Sequence, residues 1–526
     1  MKSRVYAATF FAMMLASVPA FAAHHGNHHH APAAVSAPHA EQSVTQGSVT
    51  VEGKRIGYKA IAGLLIIKND KGQPYTSMSY VAYVKKGVRH QDDRPITFFY
   101  NGGPGSSTVW LHMLAFGPQM AVVGNGTLTP PAPYQLVNND YSLLDATDEV
   151  FVDAPGTGYG RIIGKKEGGV GTPKMVWGID PDAQTFTRFI TEYLSKYNRW
   201  NSPKFLYGES YGTTRSAVLS YDLEQANVPL NGVILQSSIL NFAISVDGSK
   251  GNPGINIAYA TGLPSYAATA WYHKKLPNQP KDLLPFLKKV EHFAMNDYLL
   301  ALDQGNLISA ADKKQIAETM HQYTGLPVAY ILKDDLKVSG GQFAHELLGD
   351  EDDITGRLDS RYSGPALDPM GESGSYDPLN SAIDGPTVAL FNQYVHNTLD
   401  FGKSMVYRPT AYRIIYGRGG WSMKHKQPGS FFGGSGTPNV MPDLADAMKH
   451  DPNLKVLLMG GYMDLGTPFF GAEYEMHQLP IPDKLQKNIS YSFFPSGHMV
   501  YVNPKAHKGL HDAAAKFIEN NFKPQK

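Results

Sequence analysis

The 526-residue chain contains no cysteine. That absence excludes structural disulfides, cysteine-based catalysis and a lipid anchor on an N-terminal cysteine. An excess of either charge is also missing: 47 Lys and Arg balance 46 Asp and Glu, for a formal charge of +1. No basic field therefore points to nucleic acid, and no charge excess points to a membrane surface. Beyond the N-terminus no apolar run approaches the length of a membrane span, so the mature chain, starting near Ala23, is expected to be soluble. No internal repeat is visible. What is present, 42% hydrophobic and 18% charged residues, is ordinary globular composition in a chain long enough for a large core. Chemistry on small molecules or peptides is the default expectation.

The first residues read as an address. Lys2 and Arg4 precede an apolar stretch from Val5 to Val18, and Ala20-Phe21-Ala22 offers small residues for cleavage, so residues 1–22 are expected to be a secretory signal. Export combined with a lack of cysteine fits a bacterial periplasm or culture medium better than a eukaryotic secretory route. Residues 23–46 follow as an expected disordered linker, including the His-rich stretch "HHGNHHHAPAAVSAPHA". Imidazoles at that density bind Zn, Cu or Ni loosely; the alternative is a solvated spacer.

From Gly47 to about Val84, alternating stretches such as "SMSYVAYVKK" predict antiparallel strands. The rhythm then changes. "PITFFYNGG" (95–103) and "EVFVDAPGTGYG" (149–160) are short apolar runs ending in glycine loops, which predict buried parallel strands with function at their carboxyl ends. A helix follows, with Asp180 as expected N-cap, Pro181 in its first turn, and Phe186, Phe189, Ile190 and Tyr193 at helical spacing. Strand 204–208, a helix after Ser210 and strand 232–240 complete a β-α-β unit. Residues 243–400 break the alternation. Helical patterns at 281–303 and 309–323, set in Gly, Pro, Asp and Ser, predict an inserted cap. The acidic run "GDEDDITGRLDSRY" (349–362) lacks a calcium-loop spacing and reads as a solvated loop. Strands at 454–464 and 489–498 and helices at 468–479 and 504–521 resume the pattern.

"FLYGESYGTTRSAVL" (205–219) places Ser210 between Gly208 and Gly212 where a strand-like run gives way to a helix-like one, the context of a nucleophile elbow. The pattern is weak alone in a chain with 52 Gly; a similar Gly371-Glu372-Ser373-Gly374-Ser375 reads as loop. A serine alcohol needs a base to take its proton and an acid to orient the base. An α/β-hydrolase supplies them in chain order Ser, Asp, His, on loops after late strands. Asp464 follows "KVLLMGGYM" and His498 follows "YSFFPSG". Singly, Asp464 reads equally as a turn former and His498 as a packed residue; together with Ser210 they predict a triad. "NGGPGSS" (101–107) follows an early strand, where an oxyanion loop belongs, and the N–H groups of Gly103 and Tyr211 are the expected donors. A plain Gly-Pro turn is the alternative.

"FFYNGGPGSS", "VDAPGTGYG", "YGESYG", "GGYMD" and "SGHMV" occur in the order and approximate spacing of the serine carboxypeptidases, and the chain resembles that family over about 95–502. The resemblance implies an α/β-hydrolase fold with a mostly parallel central sheet: core segments 47–242 and 401–526, and a largely helical cap at 243–400. It matches Ser210, Asp464 and His498 to the triad and Gly103 and Tyr211 to the oxyanion donors. It also implies that Asn101 and Glu209 hold the free C-terminal carboxylate of a peptide. A buried glutamate that stays protonated can donate a hydrogen bond to an anion, which gives that role a physical basis.

Four positions depart from the family. A second glutamate, two residues before the Gly-Pro that follows the oxyanion loop, is Ala115 here. Half of the acidic carboxylate clamp is thereby lost, and the family's preference for acid pH is left open. Ser106 stands where many members have a disulfide cysteine, Tyr462 where aspartate is frequent, and Tyr501 where proline is usual. The expectation is a periplasmic or secreted serine-type carboxypeptidase acting on peptides, without cofactor or metal, and without nucleic-acid or membrane partners after signal cleavage. Two other readings stay open: an acyltransferase or esterase using the same triad, and a non-catalytic metal-handling protein acting through its His-rich tail.

Overall fold

A strand covered on both faces is expected to be mainly apolar, and four short runs come close to that rule. The computed structural model describes residues 40–430 and 437–522 and assembles a nine-stranded sheet. In chain order the strands are β1 (Gln42–Val51), β2 (Lys54–Lys68), β3 (Pro74–Lys85), β4 (Ile96–Tyr100), β5 (Asp148–Val152), β6 (Lys204–Glu209), β7 (Gly232–Gln236), β8 (Lys455–Gly461) and β9 (Ile489–Phe494). Across the sheet the order is β1-β2-β3-β5-β4-β6-β7-β8-β9. β1, β2 and β3 pair antiparallel, as does β3 with β5. From β5 onward every pairing is parallel. Every residue of β4, β5, β6 and β7 is buried, whereas β1, at the edge, alternates and stays half exposed.

Helices cover both faces. α1 (Ile179–Lys196) turns Phe186, Phe189, Ile190 and Tyr193 onto one face, beside α2 (Tyr211–Gln225). Residues Phe99, Phe151 and Tyr207 belong to the core of the other face. A third cluster joins α3 (Ile257–Tyr272), α4 (Leu283–Phe293) and α5 (Ala310–Thr324) through Leu263, Leu287, Val290 and Met320. It reaches the carboxyl edge of the sheet through Met463, Leu465 and Phe469.

Several sequence expectations shift. Residues 42–46, expected as linker, are strand: their backbone pairs with residues 59–63 of β2, satisfying groups that a mostly polar stretch gives no hint of satisfying. Asp180 is not the N-cap. Gly178 holds that position, and Asp180 lies in the first turn, 2.6 Å from His425 Nδ1, with Lys426 N donating to it at 3.0 Å. Within the stretch expected as cap, α6 (Pro378–Asn397) packs Leu379, Ile383, Phe391 and Val395 into the core of the sheet instead of the separate helical cluster. The expected signal at 1–22 and the His-rich stretch to residue 39 lie outside the described residues. No helix among the described residues is long and apolar enough to cross a membrane.

One buried ion pair ties the elements around the sheet's functional edge. Arg215 Nε donates to Asp182 Oδ2 at 2.6 Å, Nη2 to Oδ1 at 3.3 Å, and Nη1 to the carbonyl of Asn101 at 2.9 Å. Its guanidinium also lies 4.3 Å from the Phe186 ring centre. Arg215→Ala would strand the Asp182 charge in the core, so a stability loss of about 3–5 kcal/mol is expected in urea denaturation. A loss below about 1 kcal/mol would contradict this account of the pair.

Candidate active site

Because the strands from β5 onward run parallel, their carboxyl ends open on one edge. Asn101 follows β4, Ser210 follows β6, Asp464 lies in the loop after β8, and His498 lies in the loop after β9. Register fixes them laterally: Tyr100 pairs with Gly208, Glu209 with Gln236, and Gly461 with Phe494.

Ser210 sits at φ +62°, ψ −131°, left-handed backbone that a residue with a Cβ adopts at a cost of about 1–3 kcal/mol. The turn is tight enough that a Cβ on Gly208 would collide with the Gly212 carbonyl and with Ser216 Oγ. Strand and helix therefore meet closely, and Ser210 is pushed partly into the open while its neighbours are buried.

Asp464 and His498 are brought together. Asp464 is fully buried; its Oδ1 accepts from the backbone N–H groups of Gly466 and Thr467, both at 2.9 Å. Its Oδ2 accepts from Thr467 Oγ1 at 2.7 Å and lies 2.8 Å from His498 Nδ1. A carboxylate held by that many donors can only accept from Nδ1–H, which leaves the Nε2 lone pair free to act as a base. Burial alone would lower the His498 pKa, but the charge and hydrogen bond of Asp464 outweigh it and the net direction is up. No hydrogen bond joins Ser210 Oγ to His498 among the described residues. Their backbones are nonetheless both fastened to Gln236: Ser210 N donates to Gln236 O at 3.0 Å, while Gln236 Nε2 and, beside it, Ser237 Oγ donate to the His498 carbonyl at 3.1 and 2.7 Å. Such contacts are frequently long before substrate arrives and tighten in the complex.

The loop after β4 lies directly on the elbow: a Cβ on Gly102 would collide with the Tyr211 nitrogen. Neither Gly103 N nor Tyr211 N donates to a protein acceptor among the described residues. Asn101 and Glu209 meet below them. Asn101 Nδ2 donates to Glu209 Oε1 at 2.5 Å, Gln236 Nε2 donates to Oε2 at 2.9 Å, and Asn101 Oδ1 accepts from Leu111 N at 3.1 Å. Glu209 is 1% exposed. Burial pushes its pKa up to about 7, against the opposing pulls of His498, Tyr501 and Asn101. A carboxyl that keeps its proton near neutrality, one residue before the elbow serine, is the unusual feature of this site.

Several supporting residues escape sequence reasoning. Thr467, three residues after Asp464, caps its carboxylate. The acidic run 349–362 is not simply solvated: Asp359 is fully buried, paired with Arg361 at 2.6 Å, and crowds Gly497 so that no Cβ fits there. Leu358 O accepts from His498 N at 2.7 Å, so this segment seats the histidine loop. Asp153, in the "VDAPG" stretch, accepts from Thr108 N at 2.9 Å and Ser79 Oγ at 2.6 Å, which holds the far end of the 101–107 loop. Ser106 Oγ bonds Tyr412 Oη at 2.7 Å, and Ala411 N donates to Gly105 O at 2.8 Å. Gly371 to Ser375 is loop, as expected.

One group among the described residues has metal-like spacing, with donors of Glu52, His511 and Asp512 within 4.8 Å of one another. Lys508 Nζ already pairs with both carboxylates at 2.9 Å, so a cation would have to displace a fixed ammonium. It is remote in sequence from the elbow and shares no residue with it.

The sheet order, the strained elbow and the loops at one sheet edge define an α/β-hydrolase. Structural comparison agrees: the chain is similar to a prohormone-processing carboxypeptidase from Saccharomyces cerevisiae, with TM-score 0.52 at 14% identity over 86% of this chain and 90% of that one. More specifically, the chain belongs to the serine carboxypeptidase family, whose sequence model matches residues 53–500. It is also similar to serine carboxypeptidase-like 42 of Arabidopsis thaliana, 26% identical over 200 residues. That match spans 35% of this chain and only 37% of the relative's length.

Proposed function

We propose that the protein is an exported bacterial serine carboxypeptidase that removes C-terminal residues from peptides through an acyl-enzyme. Ser210 attacks the scissile carbonyl while His498 Nε2 takes its proton, and Asp464 holds the imidazole in the required tautomer. The oxyanion points at the N–H groups of Gly103 and Tyr211. His498 then protonates the leaving amino acid, and water attacks the acyl-enzyme by the same route. Asn101 and protonated Glu209 receive the substrate's C-terminal carboxylate. The division into a hydrolase core and an inserted cap over residues 243–400, with α6 packed on the core, belongs to the same proposal, as does cleavage of residues 1–22.

The observation that carries this reading is the buried Glu209 carboxyl, raised to about 7 and hydrogen-bonded to Asn101 beside the elbow. Glu209→Gln is expected to lower kcat/KM for a blocked dipeptide acid roughly tenfold or more, and to lower it far less for the matching amide or methyl ester. Comparable losses on all three would remove the carboxylate role. The pH dependence follows in sign. Binding of a free carboxylate needs Glu209 protonated, so kcat/KM for the acid should fall as pH rises through about 7, while ester hydrolysis persists above it. At low pH both should fall together as His498 gains its proton, at a pH above the ordinary histidine value.

An esterase or acyltransferase remains the second reading, favoured by Ala115, which removes a polar group from the carboxylate subsite. Its mark would be efficient turnover of esters and amides with no cleavage of free-acid peptides.

A further inference from the structure

Ala115 lies buried in the turn Leu111–Phe116, its carbonyl accepting from Asn139 Nδ2 at 2.8 Å and bonded to His507 Nε2 at 2.7 Å. No polar side chain from this turn reaches Glu209. A different residue comes to the same place. The turn Val500–Val502, which follows "SGHM", packs on Leu111–Phe116, and the Tyr501 ring stands 6.5 Å from the His507 ring. The Tyr501 hydroxyl ends beside Glu209 and Asn101, buried and without a hydrogen bond of normal geometry. A buried hydroxyl without a partner is destabilising, so its retention needs a reason.

We infer that Tyr501 is a positioning residue of the subsite for the substrate's C-terminal carboxylate: its hydroxyl backs the Glu209 carboxyl in the place left without a polar group at Ala115. This rests on the role of Glu209 given above. In the resting site Glu209 accepts from Asn101 Nδ2 and Gln236 Nε2. When Asn101 turns an N–H to the substrate and Glu209 directs its own proton there, Glu209 needs a replacement donor. Tyr501 Oη is the hydroxyl beside it. The phenol is itself held well above its usual pKa by burial and by Glu209, so it remains a donor throughout the working range.

The charged and titratable groups facing Glu209 are few. Tyr207 adjoins it on its own strand, His498 on the loop after β9, Asp464 on the loop after β8, and Tyr501 on the turn behind. Asn101 and Gln236 are neutral. His498 favours the ionised carboxyl, Asp464 opposes it, and a Tyr501 donor favours it. Removing the hydroxyl should therefore let Glu209 keep its proton to higher pH while holding it less well in place.

The test is the ratio of kcat/KM for a blocked dipeptide acid to that for its methyl ester, followed against pH in wild type, Tyr501→Phe and Glu209→Gln. The ratio cancels the shared titration of His498. Tyr501→Phe, which keeps the ring, is expected to lower the ratio roughly fivefold below pH 6, chiefly through KM. It should also move the ratio's alkaline fall upward by about half a unit. A wild-type ratio and profile in Tyr501→Phe, with the ratio collapsed in Glu209→Gln, would overturn the inference. Equal losses on acid and ester would assign Tyr501 to packing alone and overturn it too. A ratio that Glu209→Gln leaves untouched would instead sink the carboxylate reading on which it rests.

Discussion

Ser210→Ala is expected to lower hydrolysis of a blocked dipeptide by about a millionfold and to abolish labelling by a fluorophosphonate probe. Removing the nucleophile of a working triad costs about that much, because the remaining groups act as a unit and retain only the contribution of the oxyanion hole and binding. The elbow makes the assignment specific: Ser210 alone occupies the strained turn between β6 and α2, beside the free N–H groups of Gly103 and Tyr211. Labelling checks the prediction independently of substrate choice. An adduct that survives in Ser210→Ala would place the nucleophile elsewhere. A wild type that never labels would favour an inert fold with function in the His-rich tail.

Asp464→Asn is expected to lower kcat about ten-thousandfold with KM within a fewfold of wild type. The size follows from the donors around the carboxylate. Asp464 receives Gly466 N, Thr467 N, Thr467 Oγ1 and His498 Nδ1, so all four of these atoms donate to it. An amide must aim its NH2 at one of them. If it faces His498, the imidazole adopts the other tautomer and Nε2 ceases to be a base. If it faces the backbone pair, two buried N–H groups lose their acceptor. Steady-state kinetics on a dipeptide acid checks the split between kcat and KM, and a loss under about tenfold would contradict the orienting role of Asp464.

The sheet edge was legible because its signals are local. Buried parallel strands announce themselves as short, mainly apolar runs, and the loops that follow them carry the glycines of "NGGPG" and "YGESYG" and the polar residues of "GGYMD" and "SGHMV". The partners of those residues were not legible, since they depend on distances in space. Asp359 looks solvated in an acidic run until Arg361 neutralises it beneath the histidine loop. Gln236 and Ser237 read as the middle of a strand at 232–240, yet Gln236 ties Ser210 to His498 and Ser237 adds a second bond to His498. Asp180 has the composition of a helix cap, but His425, 245 residues away, claims its carboxylate. Tyr501 read only as a departure from proline, because nothing in the local pattern shows that its hydroxyl lies beside Glu209.

The central question is whether this site reads a free C-terminus. Incubating the protein with a defined peptide pool and its C-terminally amidated counterpart, and following both by mass spectrometry between pH 6 and 7, addresses that directly. The predicted result is a ladder of single-residue losses from the free C-termini, much slower on the amidated peptides and absent with Ser210→Ala. Internal cleavage, trimming from the N-terminus, or equal trimming of both pools would contradict it.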